Sequence, residues 1–358
     1  MNPFFPEIKK NFGFGCMRLP MVGDKVDIPQ TIRMVDAFLE RGFNYFDTAH
    51  GYISGQSETA LREALTSRYP RDRYILTNKL SGNFFETGAE VRPLVDAQLA
   101  ACGVEYFDFF LMHAMNAKGH QRYLDLGCYD IAQELKAEGK VRHVGISFHD
   151  TAEVLDKILT DRPDIEVVQI QYNYVDYEDP RVQSKACYEV CRKHNKPVIV
   201  MEPVKGGSLV NLPQKALDLM DASPASYAIR FAADPEGMMM VLSGMSNMEQ
   251  MLDNLSYMEN FRHLSAEELE TIAKVRTIYQ GQHRIPCTAC RYCEDGCPAG
   301  IPIPDLFADM NEYLKKERES TEGFARAADC LECGQCENIC PQNLSIRELL
   351  KEIASVAQ

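Results

Sequence analysis

Over its first 280 residues or so the chain alternates short apolar runs with longer stretches of helical periodicity, the pattern of repeated βα units around a parallel sheet. The apolar runs predict an opening strand near Phe12 to Arg18. Further strands are predicted at Tyr45–Phe46, Tyr74–Thr77, Phe107–Met112, Val141–Ile146, Val167–Gln171, Val198–Met201 and Met238–Leu242. Amphipathic helices are expected between them, near 28–41, 56–68, 86–102, 122–138, 151–160, 181–194, 214–233 and 247–260. Eight strands and eight helices in a chain segment of this length fit an α/β fold, the (β/α)8 TIM barrel. A doubly wound open sheet is the alternative, but eight units are many for one, and no G-x-G-x-x-G opens the first helix. Ser265 followed by Glu268 reads as a capping box, so a helix is expected from Ser265 to about Gln280. The predicted organisation is therefore a barrel over 1–264, a linking helix over 265–280 and a second body over 281–358.

That second body is set apart by its cysteines. Eight of the 13 fall between 287 and 340, as Cys287-x2-Cys290-x2-Cys293-x3-Cys297-Pro298 and Cys330-x2-Cys333-x2-Cys336-x3-Cys340-Pro341, each recurring 43 residues on. Three thiolates at this spacing can take three corners of a cubane, and the fourth, about a helical turn away, reaches the cluster of the other repeat. The crossed reading puts Cys287, Cys290, Cys293 and Cys340 on one [4Fe–4S] cluster and Cys330, Cys333, Cys336 and Cys297 on a second. Zinc is the competing ligand, but it usually wants four ligands in two C-x2-C pairs. With apolar faces predicting helices at Pro302–Lys316 and Ile346–Ala354, the tail resembles the α-helical ferredoxin-like domains appended to anaerobic oxidoreductases.

Composition narrows the partners. A chain of 358 residues with 45% hydrophobic and 25% charged residues is globular rather than disordered. A net charge of −14 argues against nucleic acid and anionic membrane surfaces. No apolar run approaches the ~20 residues of a membrane span. The start, Met1-Asn2-Pro3-Phe4-Phe5-Pro6-Glu7, lacks the basic and apolar regions of a secretory signal, so a reduced cytoplasmic protein is expected.

The barrel's chemistry is expected at the C-terminal ends of its strands. Asp47 ends the second, Tyr52 lies in the loop after it, Lys79 ends the third and His113 the fourth. Each has a bland reading alone, respectively a helix cap, a loop aromatic, a solvated cation and a core histidine; together, at successive strand ends, they point to a catalytic set. The segments Phe46-Asp47-Thr48-Ala49-x-x-Tyr52 with Ser57-Glu58, Thr77-Asn78-Lys79, Leu111-Met112-His113, Val144-Gly145-Ile146-Ser147, Gly13-Phe14-Gly15 with Met17-Arg18-Leu19, and Gln169 resemble the aldo-keto reductase family. The whole chain resembles its branch with a C-terminal ferredoxin-like extension. The resemblance implies a carbonyl reductase, or alcohol dehydrogenase, using NAD(H) or NADP(H). Tyr52 would be the general acid, Lys79 would lower its pKa, Asp47 would hold the lysine and His113 would aim the carbonyl.

It also implies cofactor contacts at Gly15, Met17 and Arg18, at Ser147, Gln169 and Met201, at Pro203, Lys205, Gly206 and Gly207, and at Ser243, Gly244, Gln250 and Asn254. Phe148 stands where the family has Asn, and Met201 where it has an aromatic. No Lys or Arg lies between 243 and 254, so Lys205 is the candidate substitute for the cation that meets a 2′-phosphate. Nicotinamides move two electrons and clusters one, so the tail's clusters are expected either to exchange electrons with a ferredoxin-like carrier, with a flavin as an intermediary for which no motif is found, or to be structural or oxygen-sensing. The non-enzymatic alternative is a redox sensor or electron-transfer protein on a nucleotide-binding barrel. His149, at the same rim, is a further candidate contact.

Overall fold

The computed structural model describes residues 4–282 and 284–357; Met1 to Pro3 of the expected leaderless start, His283 and Gln358 lie outside them. Eight parallel strands close into a barrel: β1 (Phe12–Gly15), β2 (Tyr45–Asp47), β3 (Ile75–Leu80), β4 (Phe107–Met115), β5 (Val141–Phe148), β6 (Val167–Gln171), β7 (Val198–Met201) and β8 (Met238–Ser243), with β1 hydrogen-bonded to both β2 and β8. Side chains alternate along each strand, and inward positions follow the apolar layer Tyr45, Ile75, Phe109, Leu111, Val167, Ile199 and Leu242. Two residues further along, the same alternation turns inward Asp47 above Tyr45, Lys79 above Thr77, His113 above Leu111, Gln169 above Val167 and Met201 above Ile199. Phe5 and Ile8 join the apolar layer, and the Phe5 ring meets Phe109 edge-on, at 5.0 Å between centroids. Gly145 is demanded by this interior: a Cβ there would stand 2.5 Å from the Val167 carbonyl oxygen.

Four predicted elements differ in extent or continuity. The third and fourth strands run on to Leu80 and Met115, so Lys79 and His113 sit within strands rather than at their ends. Pairing between β4 and β5 slips between Met112 and Met115, where Ala114 is left-handed at φ 55°. The helix expected over 122–138 is two helices, Ala117–Asp125 and Cys128–Ala137, divided at Gly127 with φ 68°. That over 214–233 is likewise two, Gln214–Leu217 and Pro224–Ala233, the second restarted by Ser223 as N-cap with proline in its first turn.

The helix Ala266–Gln280 has the expected capping box and packs Ile272, Val275 and Tyr279 against Tyr174, Leu209, Leu212 and Tyr227 of the barrel's loops and helices. The tail has its own core, in which helices Ile303–Leu314 and Ile346–Val356 bring Leu306, Phe307, Leu350 and Ile353 around Phe324. The sequence repeat is also a backbone repeat. Ala289 and Glu332 are left-handed at φ 52° and 54°, and Arg291 and Gly334 at 64° and 75°, each pair 43 residues apart.

A buried latch ties the tail to the barrel. The Lys205 ammonium lies 2.6 Å from Asp176 and 3.1 Å from the Gln342 side-chain oxygen, while Gln171 and Asn173 also donate to Asp176. Lys205 therefore does not serve as the substitute cation for a 2′-phosphate: its charge is spent inside the protein. Removing one member of a buried ion pair strands the other, so Lys205→Met should destabilise the protein by about 3–5 kcal/mol. An unchanged urea midpoint would show that the latch contributes nothing.

Candidate active site and cysteine pockets

Above the apolar layer of the barrel opens a cavity of about 780 Å³. Asp47, Tyr52 and His113 line it, and Lys79 lies buried just beneath. The Lys79 ammonium sits 2.6 Å from Asp47 Oδ1, 2.9 Å from the Thr48 carbonyl and 3.2 Å from the Tyr52 hydroxyl. Burial works against both charges of the pair, raising the Asp47 carboxyl and lowering the Lys79 ammonium, and each charge is what sustains the other. Tyr52 itself is pushed well above the ordinary phenol value, by burial first and then by the Asp47 charge. The expected lowering of its pKa is thus outweighed, because a phenolate in this pocket loses water and faces a carboxylate. His113 is held well below its usual value by burial, then by Lys79 and His149, and is neutral at pH 7. Its Nδ1 is 2.6 Å from the Ser81 hydroxyl. With that hydroxyl donating, the other ring nitrogen carries the hydrogen.

The expected cofactor residues are brought to the same cavity, apart from Lys205. Gly15 ends β1, with Met17 and Arg18 after it; Ser147, Gln169 and Met201 come from β5, β6 and β7; Pro203, Gly206, Gly207, Ser243, Gly244, Gln250 and Asn254 continue the wall. Some of these polar groups are already engaged. Ser147 Oγ accepts from the Ala114 N–H, Asn254 donates to Ser243, and Gln250 accepts from the Ser246 N–H. Others are open: Asp47 Oδ2, Gln169 Oε1, Glu202 Oε2 and Thr288 Oγ1 are buried atoms of cavity-lining residues with no hydrogen-bond partner. Phe148, in place of the family's Asn, points into the hydrophobic core.

The sequence reading missed Glu202, Thr288, Cys290 and Tyr292 on this wall. Glu202 is left-handed at φ 56°, and burial raises its carboxyl while Arg18 and Lys205 pull it back. Tyr292 had a readable signal: the dipeptide Arg291-Tyr292 inside the first cysteine run corresponds to Gly334-Gln335 in the second. His149, weighed as a further contact, lines the cavity and is lowered by burial to about 4.

The eight tail cysteines surround two smaller cavities. One is lined by Cys287, Cys290, Cys293 and Cys340, the other by Cys297, Cys330, Cys333 and Cys336, the crossed sets expected from the spacing. Among the described residues no group of three or more His, Cys, Asp or Glu is arranged to hold a single ion. Each set of four thiols is instead distributed around a pocket wall. Cys290 and Thr288 line both the first pocket and the large cavity, whereas Cys333 of the second is exposed.

Residues 11–277 match the aldo/keto reductase family. The chain belongs to that family. Residues 286–344 match the 4Fe-4S dicluster domain, which makes this an aldo-keto reductase-like oxidoreductase with an iron–sulfur tail. Relatives include an uncharacterised oxidoreductase, YqkF, of Bacillus subtilis strain 168, 23% identical over 73% of this chain and 90% of that one. An NADH-specific methylglyoxal reductase of Escherichia coli strain K12 is 25% identical over 49% of this chain and 57% of its own length. Among solved structures, an aldo-keto reductase from Klebsiella pneumoniae in complex with NADPH superposes with a TM-score of 0.60, at 20% identity, covering 76% of this chain and 92% of that one. Among the described residues no helix is long and apolar enough to cross a membrane.

Proposed function

We propose that the reductase interconverts a small carbonyl compound and its alcohol in the large cavity, with Tyr52 as general acid and base. The observation that carries this reading is the contact of the buried Lys79–Asp47 pair with the Tyr52 hydroxyl on the cavity wall. A carbonyl oxygen that gains negative charge needs a proton donor beside it. Tyr52 gives its proton to that oxygen, and the ammonium of Lys79 receives the resulting phenolate. Neutral His113 donates a hydrogen bond to the same oxygen and fixes the face presented for reduction.

A nicotinamide fits this wall through the orphaned acceptor of Gln169, which suits a carboxamide N–H, beside Ser147 at the same register. When bound, it supplies a hydride to the carbonyl carbon, and the two [4Fe–4S] clusters held by the crossed cysteine sets supply single electrons. Sharing of Cys290 between pocket and cavity, with Cys333 at the surface, supports exchange of those electrons with a small ferredoxin-like carrier. This arrangement favours catalysis over the non-enzymatic alternative of a redox sensor.

The charges on the cavity wall favour NADH. Glu249 and Asp253 line it near Gln250 and Asn254, and Arg18 is the one Lys or Arg on it among the described residues, already donating to the Thr288 carbonyl at 2.6 Å. A carboxylate suits a ribose hydroxyl and repels a 2′-phosphate. Anaerobic calorimetry on protein with both clusters loaded should show micromolar NADH binding and NADPH binding at least about tenfold weaker. No binding of either would remove the nicotinamide; tighter NADPH would overturn the charge argument.

A further inference from the structure

Tyr292 belongs to the tail yet faces the barrel's chemistry. It opens the short helix Tyr292–Asp295, between Cys290 and Cys293. Its ring meets His113 edge-on, with centroids 6.2 Å apart and planes at 88°, and His113 meets Tyr52 in the same way at 6.0 Å and 75°. All three line the large cavity. Tyr292 also lies close enough to Tyr52 to draw its phenol down against burial and the Asp47 charge.

The turn carrying Tyr292 has little freedom. Arg18 donates to the Thr288 carbonyl, and Gly206, at φ 60°, packs so closely beneath that a Cβ would stand 2.6 Å from that carbonyl oxygen. Arg291 holds its left-handed backbone while its guanidinium binds Glu294 and Asp305. A non-glycine residue in that region costs of order 1–3 kcal/mol and persists only where the surroundings enforce it.

We infer that Tyr292 is a positioning residue supplied by the tail: its hydroxyl donates to the Tyr52 oxygen as that oxygen loses its proton, and its ring roofs the substrate pocket over His113. The inference rests on Tyr52 being the acid, as proposed above. The groups facing Tyr52 are Cys16 after β1, Asp47 from β2, Lys79 from β3, His113 from β4, Glu202 after β7 and Tyr292 from the tail. Of these, Lys79 and Tyr292 offer donors to the phenolate. Tyr292 lines the cavity beside Tyr52 and His113, so its ring limits the bulk of a carbonyl compound held against them, favouring small or flat ones.

The test is Tyr292→Phe and Tyr292→Ala in full-length protein with both clusters loaded, checked by iron content and visible absorption. A hydrogen bond to a forming anion implies about a ten- to hundred-fold fall in kcat for Tyr292→Phe, with KM for a small aldehyde within about twofold. Loss of a donor to the phenolate raises the Tyr52 pKa, so the alkaline limb of kcat should move to higher pH. Tyr292→Ala should in addition accept bulky aryl carbonyls that the native protein rejects. Independently of turnover, the 13C signal of the Tyr52 ring carbon bearing oxygen, assigned by its absence in Tyr52→Phe, should shift in Tyr292→Phe without substrate. An unmoved signal, or an unchanged kcat and pH profile, would overturn the role of Tyr292. Native protein without carbonyl turnover but with the shifted signal would instead overturn the carbonyl reading and leave the contact standing.

Discussion

Tyr52→Phe should lower carbonyl turnover by about 10²–10⁴ while leaving nicotinamide affinity and both clusters intact. The expectation follows from what the hydroxyl does and what the ring does. The hydroxyl is a proton donor on the cavity wall, 3.2 Å from the Lys79 ammonium, and a phenylalanine ring fills the same space without a proton to give. His113 cannot take over, because burial and the nearby positive charge keep it neutral and reluctant to gain or pass on a proton. The same logic gives a weaker effect for changes farther from the oxygen, so the size of the loss discriminates. A variant with near-native turnover would mean that the proton reaches the substrate another way, and that the buried Lys79–Asp47 pair serves stability alone.

The second large effect concerns ligand exchange between the repeats. Cys340 lies in the second cysteine run but lines the pocket of the first, and Cys297 does the reverse. Replacing Cys340 with alanine should therefore remove the inner cluster, the one whose Cys290 also forms the cavity wall, and Cys297→Ala should remove the outer one. Each variant should retain about four of eight irons, since a [4Fe–4S] cluster is held by four thiolates. The two should differ in function. Cys340→Ala loosens the turn bearing Thr288 and Tyr292 and should cut carbonyl turnover by about tenfold or more, on the scale of a lost charge-assisted hydrogen bond. Cys297→Ala should leave direct nicotinamide-driven reduction nearly unchanged while abolishing exchange with an external one-electron carrier. If Cys340→Ala instead removes the outer cluster's electron paramagnetic resonance signal, the ligation is not crossed.

The parts of the fold that sequence reveals are those with strong periodicity. Apolar runs alternating with helical stretches specify eight βα units, and the period of two along β2 and β3 already places Asp47 above Tyr45 and Lys79 two residues beyond Thr77. Strand ends were misjudged because β3 and β4 carry polar residues into the top of the barrel, where hydropathy suggests a loop. Helix breaks at Gly127 and before Pro224 were missed because both flanking segments keep an amphipathic pattern. The place of Lys205 is hidden in the sequence for a different reason. A lysine in a glycine-rich loop suggests an anion contact, whereas its partner Asp176 and the tail's Gln342 are brought to it only by the tertiary fold. Tyr292 is hidden in the sequence because the spacing of the cysteines around it says nothing of where its side chain lies.

The difference between the two copies of the backbone repeat bears on how such a chain can be assembled from parts. Gly334 takes the left-handed conformation at no steric cost, whereas Arg291 takes it against its preference and is followed by Tyr292 rather than Gln335. At this position the outer copy is the unstrained one, and the inner copy carries the side chain that faces the barrel. Grafting an unrelated dicluster tail onto this barrel would supply iron and cysteine but leave the roof of the pocket open. A tail from elsewhere would therefore replace this one only if it carried an aromatic side chain at the same place, facing the barrel.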